Sequence, residues 1–280
     1  MNEAPALFVS HGAPTFALEP GVLGPKLTAL HMEQWGLKAA VVASAHWQTR
    51  GVQLMCGKAP ETVHDFGGFP PALYQLQYPA PGEPALAGSA AELLRAAGFN
   101  VSFDQNRGFD HGVWVPMRYL LPAARTPVFQ VSLPLDLDAQ GAIRLGQALA
   151  PLRRQGVLVM GSGSLTHNLR EIFDTSAASA TYAVEFTEWV RRRVQERDLA
   201  GLMDYRRRAP HALRAHPTEE HFLPLLIALG ASDALDEVAV MEGGMTHGVL
   251  SMESYLFRGK TASRGPAHRP CPLSDTNRRR

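Results

Sequence analysis

Four of the eleven histidines in this chain stand where a fold could gather their imidazoles. His11 closes the apolar run ALFVS and is followed by Gly12, Ala13 and Pro14. His46 closes a second run, AAVVASA, and His167 follows a third, GVLVMGSG, across a short Ser/Thr loop. His221 lies near the start of the helix-like stretch PTEEHFLPLLIALGA. Neutral imidazole is the commonest protein ligand for divalent transition metals. Two strand ends and one helix start can supply three nitrogens to one face of an ion. The other face then stays open to water or substrate, as metal-assisted catalysis requires. The spacing makes His11, His46 and His221 a candidate metal set, with His167 beside it. The remaining histidines carry less: His31 and His268 read as exposed, and His211 and His216 flank a loop. His216 is five residues before His221, which is not the i, i+4 spacing of a helical metal pair. His247 follows a strand-like segment and is within reach of the same crevice. The chain has no HExxH, paired CxxC or P-loop, so metalloprotease, zinc-finger and nucleotide readings lack support.

These side chains need a scaffold that ends its strands at one edge. Apolar runs at 6–10, 39–45, 52–56, 100–103, 127–133, 156–163 and 236–243 read as strands. Most are continuous rather than alternating, as in strands covered on both faces. Helical patterns lie between them: GEPALAGSAAELLRAAG, DAQGAIRLGQALAPLRRQG, ATYAVEFTEWVRRRVQERD and PTEEHFLPLLIALGA. The alternation predicts a single-domain α/β fold with a mostly parallel central sheet flanked by helices. Ligands in such sheets bind beyond the carboxyl ends of the strands. Thr218 is the expected N-cap of the last helix, which would put His221 in its first turn.

Two further segments are dense in unusual chemistry. Residues 62–82, TVHDFGGFPPALYQLQYPAPG, carry His64, Asp65, several aromatics and four prolines, the composition of a lid or binding loop. Phe66, Phe69, Tyr74 and Tyr78 are its candidate pocket wall. In RGFDHGVWVPMRYLLP, His111 follows Asp110 ahead of a helix-like run.

Composition narrows the class. The chain has 280 residues, 45% of them hydrophobic, and a net charge of +1, which gives no reason to expect nucleic-acid or membrane partners. Two cysteines, Cys56 and Cys271, argue against a disulfide framework as the scaffold. The N-terminus lacks a signal-peptide pattern and no window is apolar enough to span a bilayer, so a cytoplasmic protein is expected. One catalytic domain over residues 1–258 is expected, followed by a basic, disordered extension over 259–280.

In order, SHGAP, SAHW, HDFGGFP, YPAPG, GFDHG, THNLR and PTEEHFLPLL closely resemble the class III extradiol ring-cleavage dioxygenases, in the 4,5-DOPA extradiol dioxygenase branch. The resemblance runs from about Ala6 to Phe257. It implies an α/β fold and one non-haem divalent metal, Fe(II) for ring cleavage or Zn(II). It implies a catechol substrate, DOPA-like, opened with O2 to a semialdehyde. Carried over by motif, His11, His46 and His221 match the metal ligands. His167 matches the acid/base histidine, and His111 and His64 match further pocket histidines. The better known facial triad is two histidines and a carboxylate. Here the third candidate is neutral His221, directly preceded by Glu219 and Glu220. A three-histidine set also suits zinc, so a zinc-dependent hydrolase on the same scaffold, or a metal-binding protein without turnover, stays open at this point.

Overall fold

The computed structural model describes residues 3–172 and 179–259. The basic extension expected over 259–280 lies, beyond Gly259, outside the described residues. Ten strands are present among those described: β1 (Ala6–Ser10), β2 (Ala39–Thr49), β3 (Val52–Met55), β4 (Val101–Asp104), β5 (Val128–Pro134), β6 (Val157–Gly163), β7 (Glu237–Met241), β8 (Met245–Thr246), β9 (Leu250–Ser251) and β10 (Ser254–Arg258). Eight form one sheet in the order β4-β3-β5-β2-β6-β1-β10-β7, and β8 and β9 form a small ribbon. The centre, β5-β2-β6-β1, is parallel throughout. β10 runs antiparallel to both β1 and β7, and β3 runs antiparallel to β5.

Every residue of β1, β5 and β6 is buried, which explains their continuous apolar sequences. The helices are α1 (Leu23–Thr28), α2 (Pro84–Ala96), α3 (His111–Leu120), α4 (Ala139–Leu149), α5 (Pro151–Arg154) and α6 (Thr181–Gln195). Three short turns of helix, α7 (Leu199–Met203), α8 (Tyr205–Arg208) and α9 (Ala212–Ala215), precede α10 (Leu223–Ala231). All nine residues of α10 are buried, because it lies against β6 and β1 while α4 covers it from outside. A helix apolar all round has no solvent face, so this is the only place it can be stable.

Three sequence expectations are corrected. His46 does not end its strand: β2 runs on to Thr49, with its pairing to β5 shifted between Ala43 and Gln48. His46 therefore sits in an irregularity that re-aims its side chain, a known use of β-bulges. His221 is not in a helical first turn and Thr218 is not the N-cap, because α10 begins at Leu223. Pro224 is tolerated only in the first turn, since its ring would clash with the carbonyl four residues back. That leaves residues 219–222 as a turn, with the Phe222 N–H donating to the Glu219 carbonyl at 2.9 Å. Strand β10 went unrecognised because its apolar run, YLF, is only three residues long in a stretch without clear patterning.

Candidate metal centre

Adjacent strands bring the histidines together. Ser10 pairs with Gly163 across β1 and β6, and Ser44 pairs with Ser162 across β2 and β6. His11 and His46, one and two residues further on, therefore emerge at the same edge. His221 reaches them because α10 packs on β6 so closely that a Cβ at Gly163 would overlap the His221 carbonyl oxygen. The outcome is one cluster of nitrogens. His46 Nε2 is 3.0 Å from His11 Nε2 and 3.4 Å from His221 Nε2. Nitrogens about 2.1 Å from a shared ion would stand roughly 3.0 Å apart at right angles and roughly 3.4 Å apart at the tetrahedral angle. Those two separations suit ligands of one divalent ion, and the ligand nitrogens of all three imidazoles lie within 4.8 Å of one another.

The outer nitrogens set the tautomers. Ser162 gives its hydroxyl proton to the Gly112 carbonyl, so its oxygen accepts from His11 Nδ1–H at 2.9 Å. Glu220 Oε1 accepts from His221 Nδ1–H at 2.9 Å. Both Nε2 atoms are thereby left with a free lone pair aimed inward, the form a ligand needs. Asp65 Oδ2 stands 3.8 Å from His46 Nδ1, beyond hydrogen-bond range.

Burial keeps these rings neutral. The His11 pKa falls well below the usual value, first through loss of solvation and then through His46 and His111. His221 behaves alike, with His167 its strongest neighbour. Burial takes His46 down to about 4, with His111 adding to the effect and Asp110 opposing it. Neutral imidazoles at ordinary pH can ligate without first losing a proton.

The other expected site residues fall into two groups. His167 and His111 join the cluster. The His167 ring stacks on His221, and the His111 ring centre lies 4.0 Å from that of His46. His111 opens α3 and is oriented by Asp65, whose Oδ1 accepts from both its backbone N–H and its Nδ1–H at 2.9 Å. Its Nε2 is the free nitrogen. Burial works against ionisation of Asp65, but the His111 bonds and the nearby His46 outweigh it and hold the carboxyl at about 2. His64 stands one ring further out, its Nε2–H donated to the Leu76 carbonyl at 3.1 Å. It packs among Phe66, Tyr74 and Trp114, and Phe66 in turn meets His111 at 5.7 Å. The 62–82 loop is thus a wall beside the cluster, pinned by Asp65 and by the Trp114 indole donating to the Val63 carbonyl at 3.0 Å. Phe69 belongs to this wall through Phe66, whereas Tyr78 is core, its hydroxyl donating to the Leu121 carbonyl at 3.0 Å.

His247 lines a separate cavity of about 340 Å³ with Ala13, Phe16 and Met252. His211 pairs with Glu185 at the surface. His216, read from sequence as a loop residue, is fully buried among Phe186, Tyr205 and Phe222. Sequence reading gave no role to Ser162, Glu220 or Asp65. Of these, Asp65 had a signal, its place beside His64 in the unusual loop. Ser162 had none, and Glu220 had only its place directly before His221.

Residues 27–257 match the family described as the catalytic LigB subunit of aromatic ring-opening dioxygenase. The chain is 37% identical over 264 residues to a 4,5-DOPA dioxygenase extradiol of Beta vulgaris, covering 91% of this chain and 97% of that protein. It is 38% identical over 258 residues to one of Escherichia coli K12, covering 89% and 93%. The crystal structure of an uncharacterized protein from Escherichia coli K12 superposes with a TM-score of 0.76 at 32% identity, covering 90% of this chain and 99% of that one.

Proposed function

Because this chain belongs to the LigB family of aromatic ring-opening dioxygenases, we propose that it opens a DOPA-like catechol, using Fe(II) held by His11, His46 and His221. The coarser activity is that of an extradiol ring-opening dioxygenase, acting with O2 on a small aromatic. The observation that carries the finer reading is the convergence of three neutral Nε2 atoms beside an aromatic-walled loop. The relatives named for 4,5-DOPA support the substrate class.

When bound, the ion supplies Lewis acidity to the two catechol oxygens and a route for electrons between ring and dioxygen. His11, His46 and His221, all neutral, would hold the ion without bringing negative charge to it, which would favour an anionic substrate. His167 is neutral near pH 7, burial having taken its pKa to about 4 against the pull of Glu220. It is placed to take a phenolic proton as general base. His111, with Nδ1–H committed to Asp65, offers Nε2 as the second proton-handling atom. Phe66, Phe69 and Tyr74, with His64 among them and the buried Trp114 backing them, orient the ring and exclude water.

An oxygen electrode tests this directly. Iron-reconstituted protein should take up O2 in proportion to added catechol, DOPA among the best of a panel differing in ring substituent. Absence of uptake with every catechol would overturn the reading, and uptake restricted to catechols without an amino-acid side chain would overturn the DOPA assignment.

A further inference from the structure

The two glutamates ahead of His221 part company. Glu219 Oε1 accepts from the Tyr205 hydroxyl at 3.0 Å and lies 3.9 Å from Arg206 Nε. Glu220 turns the other way, and its Oε1 accepts from the Thr218 hydroxyl at 3.0 Å as well as from His221 Nδ1–H. The 219–222 turn that Pro224 enforces makes this possible, since it gives neighbouring side chains opposite directions.

The three inner imidazoles are consequently not equivalent. The outer nitrogen of His11 meets a neutral hydroxyl, Ser162. That of His46 faces Asp65 only at 3.8 Å. Among the described residues, His221 is the one of the three whose outer N–H is given to a carboxylate at hydrogen-bond distance. A carboxylate in that position fixes the tautomer and ring orientation. It also shifts electron density toward Nε2, making the nitrogen a stronger donor. The Glu220 side chain is 21% exposed, so solvent could hold it elsewhere; the Thr218 and His221 bonds hold it here.

We propose that Glu220 is a positioning residue that supplies, one imidazole removed, the negative charge that a carboxylate ligand gives directly in a two-histidine, one-carboxylate triad. The proposal rests on the reading of His11, His46 and His221 as the metal centre. Glu220 sets the affinity of that centre by making His221 its most basic ligand. Glu219, adjacent in sequence, has no part in it.

Zinc titration of the full-length chain against a competing chelator tests this, with Glu220→Gln, Glu220→Ala, Glu219→Gln and His11→Ala. Glu220→Ala should weaken zinc binding by about 10–100-fold, the scale for losing such a partner. Glu220→Gln, which keeps an acceptor oxygen but no charge, should fall between Ala and wild type, and Glu219→Gln should match wild type. Nitrogen-15 NMR of the zinc-loaded protein should show the His221 Nδ1–H resonance displaced in both Glu220 variants, a readout that a purely structural role would not move. If Glu220→Ala fails to fold, near-isosteric Glu220→Gln carries the test. Wild-type affinity and an unmoved resonance in the Glu220 variants, with His11→Ala unable to bind zinc, would overturn the role of Glu220 alone. Zinc binding unchanged by His11→Ala would overturn the metal centre beneath it.

Discussion

His167 lies flat against His221, ring centres 3.4 Å apart and planes 10° from parallel. A metal bound by His221 Nε2 would put positive charge close to the His167 ring, which disfavours a second charge there and favours the neutral, proton-accepting form. In the arrangement proposed above, the stack sets the ligand, His221, directly against the base, His167.

That division between ligand and base predicts different failures. His11→Ala and His46→Ala should lose the metal, as read by elemental analysis after anaerobic purification. His167→Ala should retain it and lose turnover by about 10²-fold or more, the usual scale for removing a general base. Equal loss of metal in all three variants would show that His167 is a ligand and not a base.

Asp65 ties the 62–82 loop to the cluster. Asp65→Asn keeps the side-chain shape but removes the charge that accepts two N–H groups from His111. Turnover should drop by about 10–100-fold while metal content stays near wild type. An unchanged rate would mean that the His111 tautomer is held by something else.

The close approach of the 219–222 turn to β6 depends on Gly163. A methyl group there would push against the His221 carbonyl, so Gly163→Ala should cost about 1–3 kcal/mol of stability. It should also loosen zinc, because the displaced residue, His221, is the proposed third ligand. Urea unfolding of the metal-free protein and zinc titration report the two effects separately, and neither should be wild-type.

His216 sets a pH dependence. Burial holds its folded pKa at about 4, against about 6.5 in an unfolded chain. Between those values the unfolded state binds more protons, so stability falls as pH drops through that window and is level above it. Buried His46 and His167, also held at about 4, add to the slope with the same sign. His216→Gln keeps a donor for the Leu165 carbonyl but cannot titrate. Its urea midpoint should decline less steeply from pH 6.5 to 4; an identical slope would remove His216 from the account.

Much of this architecture was legible because it is local. Buried parallel strands write themselves as unbroken apolar runs, so β1, β5 and β6 were found within a residue or so. The candidate ligands were legible because each sits just beyond such a run or near a helix start. The misses have a common cause. The bulge at His46 is a register relation between β2 and β5, and the late start of α10 is decided by one proline ring against its neighbours. Strand β10 exists because β1 and β7 offer it two edges.

The sequence by itself determined which residues can do chemistry, and that they lie where an α/β sheet ends its strands. That follows from residue type and short-range pattern alone. Only the tertiary structure decided that the Nε2 atoms of His11, His46 and His221 face one another. It alone made Ser162 and Glu220 their outer partners, and it alone laid His167 against His221. Those relations join atoms far apart along the chain, at distances of about 3 Å set by strand order and helix packing. No spacing along a polypeptide encodes them.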